Sequence, residues 1–250
     1  MSKDDFFIGW ESETPARARR TFLAAGLTLS AAALAGGAGI AKLQSAPGAG
    51  TWDQGNVRSF TGVATAYPYA ALRTRDVDGQ VRTVFLSCLG KCGVTARISS
   101  YAGQAVTVQG TLIQRGKHAM ISVIDGIDWI MPNPSVEVTE QNPPAIEARG
   151  QVNLSGLIID TKCWFGAMRP SEGKVHKGCA SLCIRGGIPP ALLTKDAKGR
   201  SRLLIMTEQD QAFGEGILPF VADPVRVAGE LRSRGGVLFL DSTSAQIKRI

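Results

Sequence analysis

The chain has 250 residues, 44% of them apolar and 20% charged, with a formal net charge of +7. That balance excludes a mainly disordered protein and leaves room for one or two domains with a sizeable core. A 6% aromatic content, 29 glycines and only two histidines favour short strands and turns over a helical bundle, and supply few catalytic side chains.

Residues 1–20 form a segment whose basic side chains gather at its end as Arg17, Arg19 and Arg20. Ahead of them, Phe6-Phe7-Ile8-Gly9-Trp10 is an apolar pentad suited to a membrane interface or a membrane-embedded partner. Thr21 to Ala41 then carries no charge. As a helix, that run spans roughly 31 Å, about one hydrocarbon core. Arginines before the span hold that end in the cytoplasm. The expectation is a single-pass anchor at residues 21–41 in a bacterial inner membrane, with the bulk of the chain in the periplasm and the lipid bilayer as one partner. Arg19-Arg20-Thr21-Phe22-Leu23 also fits a twin-arginine signal, and Gly39-Ile40-Ala41 offers a cleavage site.

Residues 42–57 read as a linker, and residues 132–145, with Pro132, Pro134, Pro143 and Pro144, as a second. Between and after them lie two segments, 58–131 and 146–250. Val106-Thr107-Val108-Gln109-Gly110-Thr111-Leu112 with Arg115-Gly116 matches Val225-Arg226-Val227-Ala228-Gly229-Glu230-Leu231 with Arg234-Gly235. Both read V-x-V-x-G-x-L-x-x-R-G, an alternating strand with an internal glycine followed by a hairpin turn. Each segment also opens on a strand carrying a glycine, Gly62 or Gly156. The predicted fold is mainly β: an N-terminal transmembrane helix, then two OB-like small barrels arising by duplication.

The second repeat is longer by an insertion at residues 160–190, and loops grafted on a rigid scaffold often carry function. Its pattern is D-x2-C-x12-H-x2-C-x3-C, over Asp160, Cys163, His176, Cys179 and Cys183. Ser171 is a candidate N-cap for a helix over residues 172–185, ended by Gly186-Gly187 and Pro189-Pro190. That helix would place His176, Cys179 and Cys183 on one face, with Cys163 folded over it. Three thiolates and an imidazole suit zinc, with copper or iron as alternatives. Asp160 is then placed to orient the imidazole from behind. His176 and Cys183 would lie about 10.5 Å apart along such a helix, which strains a single four-ligand site. A disulfide from Cys163 to Cys179 or Cys183 is the other reading, and it leaves one thiol over. Both stay open. Lys162, Arg169, Lys174, Lys177 and Arg185 favour thiolates nearby.

Cys88 and Cys92, in C-x3-C, are a candidate disulfide. His118 is expected as an exposed loop residue. Trp52, Trp129 and Trp164 are expected as packing, and so is Met168, although its thioether is also a soft copper donor.

The insertion's ending, His176 through Pro190 as HKGCASLCIRGGIPP, together with the DFFIGW opening, resembles a group of small exported, membrane-anchored bacterial proteins. The resemblance implies a metal or disulfide role for Cys163, His176, Cys179 and Cys183, and it does not extend to Cys88 and Cys92. No hydrolase, P-loop or dinucleotide motif is present, which favours a non-enzymatic protein. Nucleic acid is excluded as a partner by compartment, and no small-molecule substrate is indicated. The expected function is an accessory or assembly protein of a membrane-bound, respiratory-type oxidoreductase, docking on a membrane protein. The alternative is a periplasmic metal or thiol redox carrier.

Overall fold

The computed structural model describes residues 16–43, 50–75, 79–135 and 145–250. The Phe6–Trp10 pentad, the core of the first linker and most of the Pro-rich linker lie outside the described residues. The N-terminal unit is one helix, α1 (Ala16–Leu43), 28 residues long. It covers the uncharged run, but its side chains from residue 35 onward lie outside the described residues. Among the described residues no helix is long and apolar enough to cross a membrane.

The second unit carries fourteen strands among its described residues. In the first half they are β1 (Thr51–Trp52), β2 (Arg58–Thr65), β3 (Ala71–Arg75), β4 (Val81–Ser87), β5 (Ala105–Arg115), β6 (His118–Val123) and β7 (Ile130–Pro132), with a single-turn helix α2 (Thr95–Ile98). In the second half they are β8 (Glu147–Asp160), β9 (Pro190–Lys195), β10 (Ser201–Glu208), β11 (Gln211–Ala212), β12 (Pro224–Arg234), β13 (Val237–Asp241) and β14 (Ile247–Arg249). The insertion contributes α3 (Lys177–Arg185).

The strands close into two five-stranded barrels. The first runs β2-β3-β4-β6-β5 and back to β2; the second runs β8-β9-β10-β13-β12 and back to β8. The pairings β4–β6 and β10–β13 are parallel, and every other neighbour around each ring is antiparallel. The repeat holds at single-residue register. Gly62 faces Val106 and Gly156 faces Val225, so the first valine of each motif meets the opening glycine of its barrel. At both glycines a Cβ would run into the carbonyl of the adjoining strand, that of Arg73 in one barrel and Leu193 in the other. Gly110 and Gly229 repeat the same crowding against Ser122 and Asp241. Closing five strands on so small a radius brings backbones together where no side chain fits, so the motif glycines are steric requirements.

The expected first linker is shorter than its sequence suggested. Trp52 pairs with Ile113 of β5, and its indole donates to Thr111 Oγ1 at 2.8 Å, so β1 belongs to the first barrel.

Apolar residues divide into three clusters, and the division follows the two-residue strand period. Leu72, Val84, Leu86 and Ile121 fill the first barrel, and Ile158, Leu192, Leu204 and Met206 fill the second. Their chain neighbours Ala71, Phe85, Met120, Ile159, Ala191, Leu203 and Ile205 point the other way, into a third cluster. That cluster also contains Trp164, Phe165 and Cys183, so it is the seam between the barrels with the insertion packed into it. Strands buried on both faces read as continuous apolar runs, as in Leu203–Met206. Across the seam, the Tyr69 hydroxyl donates to Met206 O at 2.7 Å and accepts from Phe213 N at 2.9 Å. Burial raises the Tyr69 pKa and keeps the phenol neutral.

Candidate metal centre

The two barrels differ where their first and second strands are joined. In the first barrel β2 and β3 are linked by residues 66–70; in the second, β8 and β9 are linked by residues 161–189. The insertion leaves β8 at Asp160 and at once makes a π-helical turn over Cys163–Ala167, which buries Cys163, Trp164 and Phe165. The expected helix over 172–185 starts later. Gly173 sits at φ 77, ψ 178, which no helix accommodates, so only a short 3-10 turn (Lys174–His176) precedes α3. Ser171 is buried but makes no cap. His176 therefore occupies the N-cap position of α3 instead of lying one turn inside it.

That shift divides the expected ligand set. The sulfurs of Cys163, Cys179 and Cys183 lie within 4.8 Å of one another, and all three are free thiols. Asp160, Cys163 and His176 make a second group of the same compactness, sharing Cys163. Either group has the donors and spacing to hold a metal ion. Asp160 takes the orienting role expected of it. Its Oδ2 is 2.9 Å from His176 Nε2, and its Oδ1 accepts the Cys163 backbone N–H at 2.8 Å. The carboxylate and the imidazole are 0% and 3% exposed, so this bracket is shielded from water.

The thiols are not equivalent. Cys163 and Cys183 are buried, whereas Cys179 is half-buried. Hydrogen bonding to Cys183, then burial and the Asp160 charge, push the Cys163 thiol far up; the same hydrogen bond pulls Cys183 down. Cys163 is thus the harder of the two to deprotonate. Cys163 Sγ is 3.9 Å from Cys179 Sγ.

Two lysines and a methionine complete the site, and of these sequence reasoning gave Lys91 no role in it. Lys91 Nζ reaches across from the first barrel to Cys179 Sγ at 2.7 Å, and this contact raises the Lys91 pKa. Lys162, although 3% exposed, donates to three carbonyls, Cys88 O at 2.6 Å, Leu89 O at 3.0 Å and Gly90 O at 2.8 Å. Burial pulls Lys162 down to about 8, opposed by the nearby Cys183, Cys163 and Asp160. Met168 Sδ lies 3.6 Å from Cys179 Sγ. Cys88 and Cys92 form the expected disulfide, and its small loop presents both Lys91 and the carbonyls that hold Lys162. The only sequence signal for Lys91 was its place between two bonded cysteines.

His118 departs from expectation. It opens β6, stacks on Phe165 with centroids 5.7 Å apart and meets Trp164 edge-on at 5.9 Å. Desolvation lowers its pKa to about 4. Trp129 and Trp164 are buried as packing residues. The Arg115 guanidinium covers the Trp164 ring at 4.4 Å, so two residues of the first barrel, Arg115 and His118, contact that indole.

Comparison with protein-family models, with curated proteins and with solved structures finds no match to this chain.

Proposed function

We propose that this protein is a membrane-anchored accessory or assembly factor of a membrane-bound oxidoreductase, whose exported pair of OB-type barrels is braced by a thiophilic metal on Cys163, Cys179 and Cys183. One observation carries the metal reading: three free thiols converge within 4.8 Å in the seam where the barrels meet. Three unbonded thiols in an oxidising compartment need a reason to stay reduced, and metal ligation provides one. The uncharged run Thr21–Ala41 behind Arg17, Arg19 and Arg20 supports the anchor and its orientation. The resemblance to small exported bacterial proteins supports the same location. A site built on three sulfurs favours bracing over hydrolysis.

A second reading, a carrier of copper, iron or electrons, is favoured by the partial exposure of Cys179, since a purely structural centre gains nothing from an accessible ligand. The test is to purify the full-length chain from detergent-solubilised membranes, measure metal per chain and thiols per chain, and identify what co-purifies. A stoichiometric metal with an oxidoreductase subunit bears out the proposal. A metal-free chain with a disulfide among Cys163, Cys179 and Cys183 overturns it.

A further inference from the structure

The thiol cluster differs from a closed zinc site in two ways. A structural zinc takes four ligands from Cys, His and carboxylates. Here the three sulfurs stand as a trio, and the imidazole groups with Cys163 and Asp160 instead, with His176 Nε2 held 2.9 Å from Asp160 Oδ2. The next donor beside the trio is the Met168 thioether, 3.6 Å from Cys179 Sγ and on the side open to solvent. Soft thiolate and thioether donors select monovalent copper, and methionine is absent from the usual zinc ligands.

The exposure pattern adds a direction. Cys163 and Cys183 are 3% and 1% exposed, whereas Met168 is 43% exposed and Cys179 lies between these extremes. Leu182, one turn along α3 from Cys179, and Leu89, in the disulfide loop that carries Lys91, are also exposed. Sulfur donors therefore run from the surface inwards as Met168, Cys179, then Cys163 and Cys183. An exposed thioether against a thiol is poor packing for its own sake, because Met stabilises a fold by filling gaps in a core. Lys91 Nζ stands 2.7 Å from Cys179 Sγ, at the middle step.

From this geometry we infer that the site takes up monovalent copper through Met168 and holds it on Cys179, Cys163 and Cys183. The inference rests on the reading of the three cysteines as a metal site and specifies its cargo and route. The ion first bonds the Met168 thioether, which has no proton to lose. It then passes to Cys179 and to the buried pair; each thiol that becomes a ligand gives up its proton to solvent, each S–H bond is replaced by S–Cu, and no electron moves. Selection comes from the donors: three sulfurs and a thioether suit a soft monovalent ion, and the imidazole that could serve a four-coordinate ion is engaged by Asp160.

The test uses the full-length chain in detergent micelles under argon, with monovalent copper supplied as its bathocuproine disulfonate complex and zinc chloride supplied in parallel. The expected result is one equivalent of copper withdrawn from the chelator, with three sulfur neighbours by X-ray absorption and bound zinc displaced on copper addition. Met168→Leu keeps the final copper content and slows uptake by about tenfold, the scale at which groups beside a metal site act. Met168 is exposed, so this variant leaves the core intact, and folding is verified by circular dichroism. Stoichiometric zinc that copper fails to displace overturns the inference and leaves the metal reading standing. Copper uptake at an unchanged rate in Met168→Leu overturns the route. Failure to bind either ion overturns the underlying metal reading as well.

Discussion

The two barrels share strand order, parallel pairs and crowded glycines, yet the joint between their first and second strands serves different ends. In the first barrel residues 66–70 turn directly, and the Tyr69 hydroxyl bridges to Met206 and Phe213 of the second barrel. In the second barrel residues 161–189 build the thiol site and bury Trp164 and Phe165 in the seam. The two repeats are therefore scaffolds with the same register demands, while an elongated loop on one of them supplies both the cement between them and the thiol cluster. The first barrel is not idle in this division. Its disulfide loop, after β4, holds Lys162 and offers Lys91 to Cys179, so the site spans both copies.

The sharpest way to break the comparison is at Asp160, the last residue of β8, where the second barrel departs from the first. Asp160→Ala strips the buried His176 ring nitrogen and the Cys163 N–H of their partner. Each unsatisfied buried group costs about 1–3 kcal/mol, so a loss of about 4 kcal/mol is expected in urea unfolding. The counterpart position in the first barrel, Ala66 or its neighbours, carries no such bracket. A loss under about 1 kcal/mol would mean the bracket does not organise the insertion.

Next in size is Gly186→Ala. A Cβ there would collide with the Lys91 carbonyl, so either α3 or the disulfide loop must retreat. Overpacking of this kind costs about 1–3 kcal/mol. The expected companion effect is a changed rate of Cys179 alkylation, because the retreat pulls Lys91 from its sulfur. Unchanged alkylation alongside a measurable stability loss would separate the loop from the thiol.

Much of this was legible in the chain. The V-x-V-x-G-x-L-x-x-R-G repeat located equivalent strands because barrel closure forces glycine at fixed registers, and the 25-odd extra residues located the insertion. The thiol trio and the Asp160–His176 pair were within reach because their spacing is local. What lay beyond the sequence was long-range. Nothing in Cys88–Cys92 announces that Lys91 meets Cys179, 88 residues away, and nothing in RGKHAM announces that His118 stacks under the insertion. The helix start was misplaced because Gly173 adopts a backbone angle that a capping pattern does not encode.

Tyr69→Phe probes the simpler joint. The hydroxyl makes two hydrogen bonds across the seam, both buried. Its removal leaves Met206 O and Phe213 N unpaired at a cost of about 2 kcal/mol, with no change in thiol count or metal content. If metal content fell too, the two joints would be coupled through the seam.

The smallest expected effect is a pH dependence arising at the seam. His118 has an ordinary pKa of 6.5, lowered by burial to about 4 in the folded chain. Between those values the unfolded chain binds a proton that the folded chain refuses, so stability falls as pH drops from 6.5 towards 4 and is level with respect to this group above 6.5. The full shift would amount to about 3 kcal/mol, but the ring keeps part of its solvent contact, which reduces the expected loss to about 1–2 kcal/mol. His118→Phe preserves the stack on Phe165 and removes the titration, so its urea midpoint should fall less between pH 7 and pH 4.5 than that of the unaltered chain. Equal slopes for the two proteins would place His118 in water, and with it would go the picture of an insertion packed tightly against the first barrel.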